Sequence, residues 1–204
     1  MEQRITKACI SAVGTPTLPR QPSVSVPSTV LLGLPANLHS SARGEIKTTP
    51  LIKNPADSLT YYLSLKAITV GSCRLPVPES AFAFTKNGTG GTIIDSGTAF
   101  TMLPPNIYRH LHHAFASQVK LPVANDDPLC FAVAPGEKPP YVPKLALPFE
   151  GATLDLPREN YVFDYEEAGH SYICVAIVEG EGMAILGNFQ QQKLSLVPDH
   201  CETV

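Results

Sequence analysis

Nothing in this chain of 204 residues favours a polyanion. Fifteen lysines and arginines face 18 acids, a net charge of −3, so no electrostatic case exists for nucleic acid. No apolar run reaches the roughly 20 residues that a bilayer-spanning helix needs, which gives no membrane partner. The five cysteines, at positions 9, 73, 130, 174 and 201, form no C-x-x-C pair, which argues against zinc. Met1 to Ala12 has no apolar stretch followed by a small-residue cleavage site, so no signal peptide is expected there. Internal repeats are also lacking.

What is present is a chain able to bury a core. Apolar residues make up 44% and charged residues 16%, so composition does not impose disorder. Twenty prolines and 14 glycines are spread between short β-branched runs. That pattern predicts many short strands and turns rather than a helical protein. The length suits one domain, or a domain with an arm.

Residues 1–28, rich in Ser, Thr and Pro, read as an irregular N-terminal arm. A domain over 29–204 follows. Thr29 to Leu32 reads as a strand closed by Gly33, and 36–44 as loop. Thr48 to Leu51 and Tyr61 to Val70 read as strands. In the second, Tyr61, Leu63, Leu65 and Ala67 alternate with Tyr62, Ser64 and Lys66, which predicts one buried face. One clear helix is expected over Pro104 to Val119. Proline suits its first turn, and Ile107, Leu111, Phe115 and Val119 form an apolar stripe. His110, His112 and His113 lie off that stripe, without carboxylate or Cys at ligand spacing, and read as helix surface. Strands are then expected at Leu129 to Val133, a hairpin at Lys144 to Leu156, a helical turn at Pro157 to Tyr161, and strands at Tyr172 to Val178 and Lys193 to Val197.

Thr92-Ile93-Ile94-Asp95-Ser96-Gly97-Thr98 stands apart. Ile93 and Ile94 read as the end of a buried strand. Asp95 then sits at a strand-to-turn junction, among hydroxyl and backbone donors. Donors stabilise a carboxylate's charged form and burial opposes it, a balance suited to acid/base work. The same letters also suit an ordinary turn. Asn87-Gly88-Thr89 matches a glycosylation acceptor, or equally a turn. The wide cysteine spacing fits disulfides and buried thiols alike.

Two apolar-apolar-glycine signatures occur in order, Ile93-Ile94-Asp95-Ser96-Gly97 and Ala184-Ile185-Leu186-Gly187. Their pairing resembles one lobe of the pepsin-like aspartic proteases. Gly90 to Thr98 followed by the helix after Leu103 looks like the C-terminal lobe of the plant nepenthesin-like branch. So do Tyr61 to Leu65, Leu129-Cys130-Phe131, and Ile185 to Gln192. The resemblance covers about residues 29–204. It implies a mainly β fold, a barrel-like sandwich, with one clear helix. It implies no metal and no cofactor.

By that resemblance Asp95 is the lobe's catalytic aspartate. Ser96 would help lock the active-site loops through its hydroxyl, Gly97 would leave room for substrate and water, and Thr98 would hydrogen-bond near the carboxylate and the substrate backbone. Cys130 and Cys174 match the lobe's disulfide. Cys201 matches a terminal cysteine for which Cys9 is the available partner, and Cys73 is left a free thiol. The implied reaction is endopeptidase hydrolysis of a polypeptide by a water held between two aspartates. The implied compartment is extracellular or vacuolar.

A complete member carries two Asp-Thr/Ser-Gly motifs, and this sequence has one. The expected partner is therefore a missing N-terminal lobe, or else a second copy of the chain. An alternative of another class is a non-catalytic binding protein on the same scaffold, like the plant xylanase inhibitors.

Overall fold

The computed structural model describes residues 7–12, 46–134, 140–192 and 194–198. In chain order come β1 (Lys7–Ala12), β2 (Ile46–Asn54), β3 (Asp57–Leu63), β4 (Thr69–Val70), β5 (Cys73–Arg74), β6 (Thr92–Ile94) and β7 (Thr101–Leu103). Helix α1 (Pro105–Gln118) follows, then β8 (Val123–Asp126), β9 (Leu129–Val133), β10 (Leu145–Pro148) and β11 (Thr153–Asp155). The last part holds β12 (Val162–Glu167), β13 (His170–Val175), β14 (Ile177–Glu179), β15 (Ala184–Leu186), the short α2 (Asn188–Gln191) and β16 (Leu194–Pro198). Single 3-10 turns occupy Glu79–Phe82 and Arg158–Asn160.

Eight strands form one sheet in the order β14-β7-β15-β6-β3-β2-β1-β16. Two four-stranded sheets, β11-β10-β4-β5 and β12-β13-β9-β8, complete a mainly β architecture. Within the large sheet β15 lies between β6 and β7, parallel to β6 and antiparallel to β7. The chain leaving β6 must therefore cross the end of β15 to reach β7. That crossing carries Asp95.

Helix α1 forms where the sequence expects it. Pro104 caps it in an extended conformation and Pro105 opens the first turn, where a missing N–H is harmless. Ile107, Leu111, Phe115 and Val119 are all buried. They pack with Leu129, Phe131 and Leu145, none of which has any exposed surface. Each such side chain contributes about 2 kcal/mol of burial. His110 and His113 are exposed. The half-buried His112 places Nε2 3.0 Å from Asp126 Oδ1 on β8.

Several expectations need correction. Lys7–Ala12 is a strand and not part of an irregular arm, because it pairs with both β2 and β16. The rest of 1–28, the strand expected at Thr29 to Leu32 and the loop at 36–44 lie outside the described residues. In β3 the buried face shifts: Tyr61 is exposed while Tyr62 and Leu63 are both buried. Tyr62 is covered by the edge of Phe84, ring centroids 5.5 Å apart, so both faces of the strand are occupied at that point. Tyr172 to Val178 is two strands in different sheets, β13 and β14. The sequence reading missed β8 and β12, which are the outer strands of their sheet and largely exposed. An exposed strand such as Val-Phe-Asp-Tyr-Glu-Glu carries little alternation to read.

Cys130 and Cys174 are register partners in β9 and β13 and form a disulfide. Cys73 is a free, exposed thiol. The expected Cys9–Cys201 bridge falls outside the described residues at Cys201 and at the Cys9 side chain.

Candidate active site

Strand β6 hands the chain to Asp95 where β15 ends. The Asp95 N–H donates to Leu186 O at 3.1 Å, extending the parallel ladder by one residue. The carboxylate is then held from both sides. Gly97 N–H donates to Oδ1 at 2.8 Å, and Thr98 Oγ1 donates to Oδ2 at 2.7 Å. These bonds hold the carboxyl below the usual carboxylate range. The Thr98 hydroxyl is the larger influence and the Gly97 amide the next, and slight burial opposes both. The bond from Gly97 is also the local bond of an Asp turn, so the turn and the poised acid are one structure.

Asp95 and Thr98 are half-buried, and Ser96 and Gly97 are exposed. Gly97 does not use the left-handed region. What its bare Cα spares is the acid: a Cβ there would lie 3.2 Å from Asp95 Oδ1. Ser96 takes part through its carbonyl, which accepts from Asn188 Nδ2 at 3.4 Å.

Behind this turn the chain after β15 is fastened to it. Asn188 N–H donates to Thr98 O at 2.7 Å, and Phe189 N–H to Ala99 O at 2.9 Å. Gly187 allows the approach, since a Cβ on it would overlap the Phe100 carbonyl and come 2.8 Å from Thr101 N. Phe100 stacks on Phe163 at 5.4 Å and meets Phe189 edge-on at 5.7 Å. A cavity of about 580 Å³ opens beside Phe100 and Phe163, lined also by Tyr165, Tyr172 and Glu167.

Among the described residues, the groups bonded to the Asp95 carboxylate are Gly97 and Thr98, and neither is acidic. The site therefore offers one oriented, ionised carboxylate. The structure brings Asp95, Gly97 and Thr98 together through these two bonds. It also reveals Thr101 and Gln190, which sequence reasoning did not single out. Gln190 opens a run of three glutamines separated by two residues from the second glycine signature, a placement that could have drawn notice. Asn87 is exposed in a turn where Gly88 N–H donates to Thr85 O. Among the described residues no group of three His, Cys, Asp or Glu is placed to hold a metal ion. No helix among them is long and apolar enough to cross a membrane.

A family profile described as xylanase inhibitor C-terminal matches residues 60–203. Aspartic proteinase nepenthesin-1 of Nepenthes gracilis is 40% identical over 181 residues, covering 86% of this chain and 40% of that protein. The chain belongs to this family, the C-terminal region of the pepsin-like plant aspartic proteases. Nepenthesin-2 of the same plant is 35% identical over the same shares of both chains. The chain thus spans about 40% of the length of these curated relatives. The crystal structure titled edgp shares the fold, with a TM-score of 0.62 at 22% identity, covering 76% of this chain and 45% of that one.

Proposed function

We propose that this chain supplies the C-terminal half-site of an aspartic endopeptidase, with Asp95 as its catalytic carboxylate. The single observation that carries the reading is the Asp95 carboxylate itself. It stands at the end of β6 with both oxygens held by Thr98 and Gly97, beside an exposed Ser96-Gly97 edge. A preorganised anion of that kind suits a general base. The second carboxylate comes from an N-terminal lobe. Two carboxylates so close share one proton, because both cannot readily ionise together. The ionised member takes a proton from water, and the water oxygen attacks the scissile carbonyl. The protonated member hydrogen-bonds that carbonyl's oxygen. The pair titrates jointly, and the working range is acidic. Ser96 locks the two loops, and Gly97 leaves space for the peptide. The substrate is a polypeptide, and the compartment is extracellular or vacuolar.

A second reading, a non-catalytic binding protein, is favoured by one observation: the matching family is described by a xylanase inhibitor. The intact Asp95 turn weighs against it. A peptide whose hydroxyl stands in for the attacking water separates the two, offered to the natural polypeptide alongside a panel of immobilised glycosidases. Retention by the peptide, lost in Asp95→Asn, supports the protease. Retention by a glycosidase alone, unchanged in Asp95→Asn, overturns it.

A further inference from the structure

One buried side chain behind the acid has more structure around it than packing requires. Gln190 has no exposed surface. Its Oε1 accepts from Thr101 N at 3.1 Å and from Thr101 Oγ1 at 2.7 Å, and its Nε2 donates to Ala176 O at 2.9 Å. Thr101 Oγ1 in turn accepts from Gly187 N at 3.0 Å. From below, Asn160 Nδ2 donates to the carbonyls of Gln190 and Gln192.

The topology gives this network its meaning. Thr101 begins β7, on the far side of the turn from Asp95. Gly187 follows the end of β15, between the two. Ala176 joins β13 to β14. The amide side chain therefore ties Thr101 to Ala176 directly and reaches Gly187 through the Thr101 hydroxyl, so that three backbone segments converge under the Asp95 turn. Segments 98–99 and 188–189 are already paired, through Asn188 N to Thr98 O and Phe189 N to Ala99 O. Thr98 carries the hydroxyl that holds Asp95 Oδ2. Displacing α2 displaces Thr98.

We propose that Gln190 is a positioning residue, whose amide fastens β7 to the β13–β14 link, and through the Thr101 hydroxyl the chain after β15, so that Thr98 stays in reach of Asp95. The inference deepens the half-site reading above and rests on it for its catalytic meaning, but its geometry can be tested without activity. The demand at this point is for one atom that accepts and another that donates, which the amide meets. A carboxylic acid meets it as well while protonated, because its carbonyl accepts and its O–H donates. Ionised, it would turn a lone pair on Ala176 O and lie uncompensated in an apolar space. The small cavity beside Gln190 is lined by groups such as Leu65, Leu103, Ile177 and Leu186, with Thr92 and Thr101, and none of its lining groups is ionisable.

The experiment uses the full chain with two substitutions, Gln190→Glu and Gln190→Leu, observed by NMR. The readouts are hydrogen exchange at the Gly187 and Thr101 amides and the titration of the Asp95 carboxyl. Gln190→Glu should match the parent at low pH in both. Once the new carboxyl ionises, exchange at Gly187 and Thr101 should run about tenfold faster relative to the parent, as a buried bond is lost. Gln190→Leu should show the faster exchange at every pH, with Asp95 titrating closer to the ordinary carboxylate range. A folded Gln190→Leu chain with both readouts unchanged overturns the proposal. Should that variant fail to fold, Gln190→Glu decides: exchange that keeps a constant ratio to the parent across the titration overturns it. Failure of the protease reading would leave both readouts as expected here, so the two failures are distinguishable.

Discussion

Thr98 Oγ1 donates a 2.7 Å hydrogen bond to Asp95 Oδ2, three residues back along the same turn. The rest of the site is arranged so that this bond persists. Gly97 takes the other carboxylate oxygen, and Asn188 holds the Thr98 carbonyl from behind.

Thr98→Ala should raise the Asp95 carboxyl towards the ordinary range, with Gly97 N–H retaining part of the effect. The sign of the stability change follows. Asp95 is held lower when folded than when unfolded, so its contribution is present above the unfolded value and is lost as pH falls through the folded one. Thr98→Ala should therefore flatten the acid limb of the stability curve and leave its slope near neutrality unchanged. Solvent screens this half-exposed group, so the carboxyl titration, read by carbon NMR, should move more clearly than the unfolding midpoint.

Gly187→Ala should destabilise by about 3 kcal/mol, because the clash is with backbone at Phe100 and Thr101 rather than a movable side-chain tip. Urea unfolding would show a lower midpoint at unchanged slope.

Replacing Cys130 and Cys174 together by serine should lower stability by up to about 4 kcal/mol, the chain-entropy value for their separation of 44 residues. Adding reductant should shift the midpoint of the parent by more than that of the double variant, the difference matching the loss on substitution. That result separates loss of the bridge from loss of the side chains.

Passage through the secretory route should place a glycan on Asn87, whose side chain stands exposed on a tight turn. Mass spectrometry should find an amidase-removable adduct on the peptide holding Asn87 and none in Thr89→Ala.

The fold was legible where burial imposes a period. The α1 stripe of Ile107, Leu111 and Phe115 is a face of a 3.6-residue helix and could be read directly. Ile93 and Ile94 gave β6 the same way, and the two glycine signatures together gave the lobe. The reading failed where both faces are covered, as at Tyr62 and Leu63, or where neither is, as in β8 and β12. Asp95, Gly97 and Thr98 could be placed because their bonds span two or three residues. Gln190 could not, because its partner Thr101 lies 89 residues away and only the path of β15 between β6 and β7 joins them.

The most direct test of the account combines this chain with the N-terminal half of a two-lobe relative such as nepenthesin-1, and follows hydrolysis of a denatured protein at acid pH. Cleavage should need both halves and fall by about 1,000-fold in Asp95→Asn, the scale of a lost acid/base group. Equal cleavage with Asp95→Asn would contradict the claim that Asp95 is half of the working site.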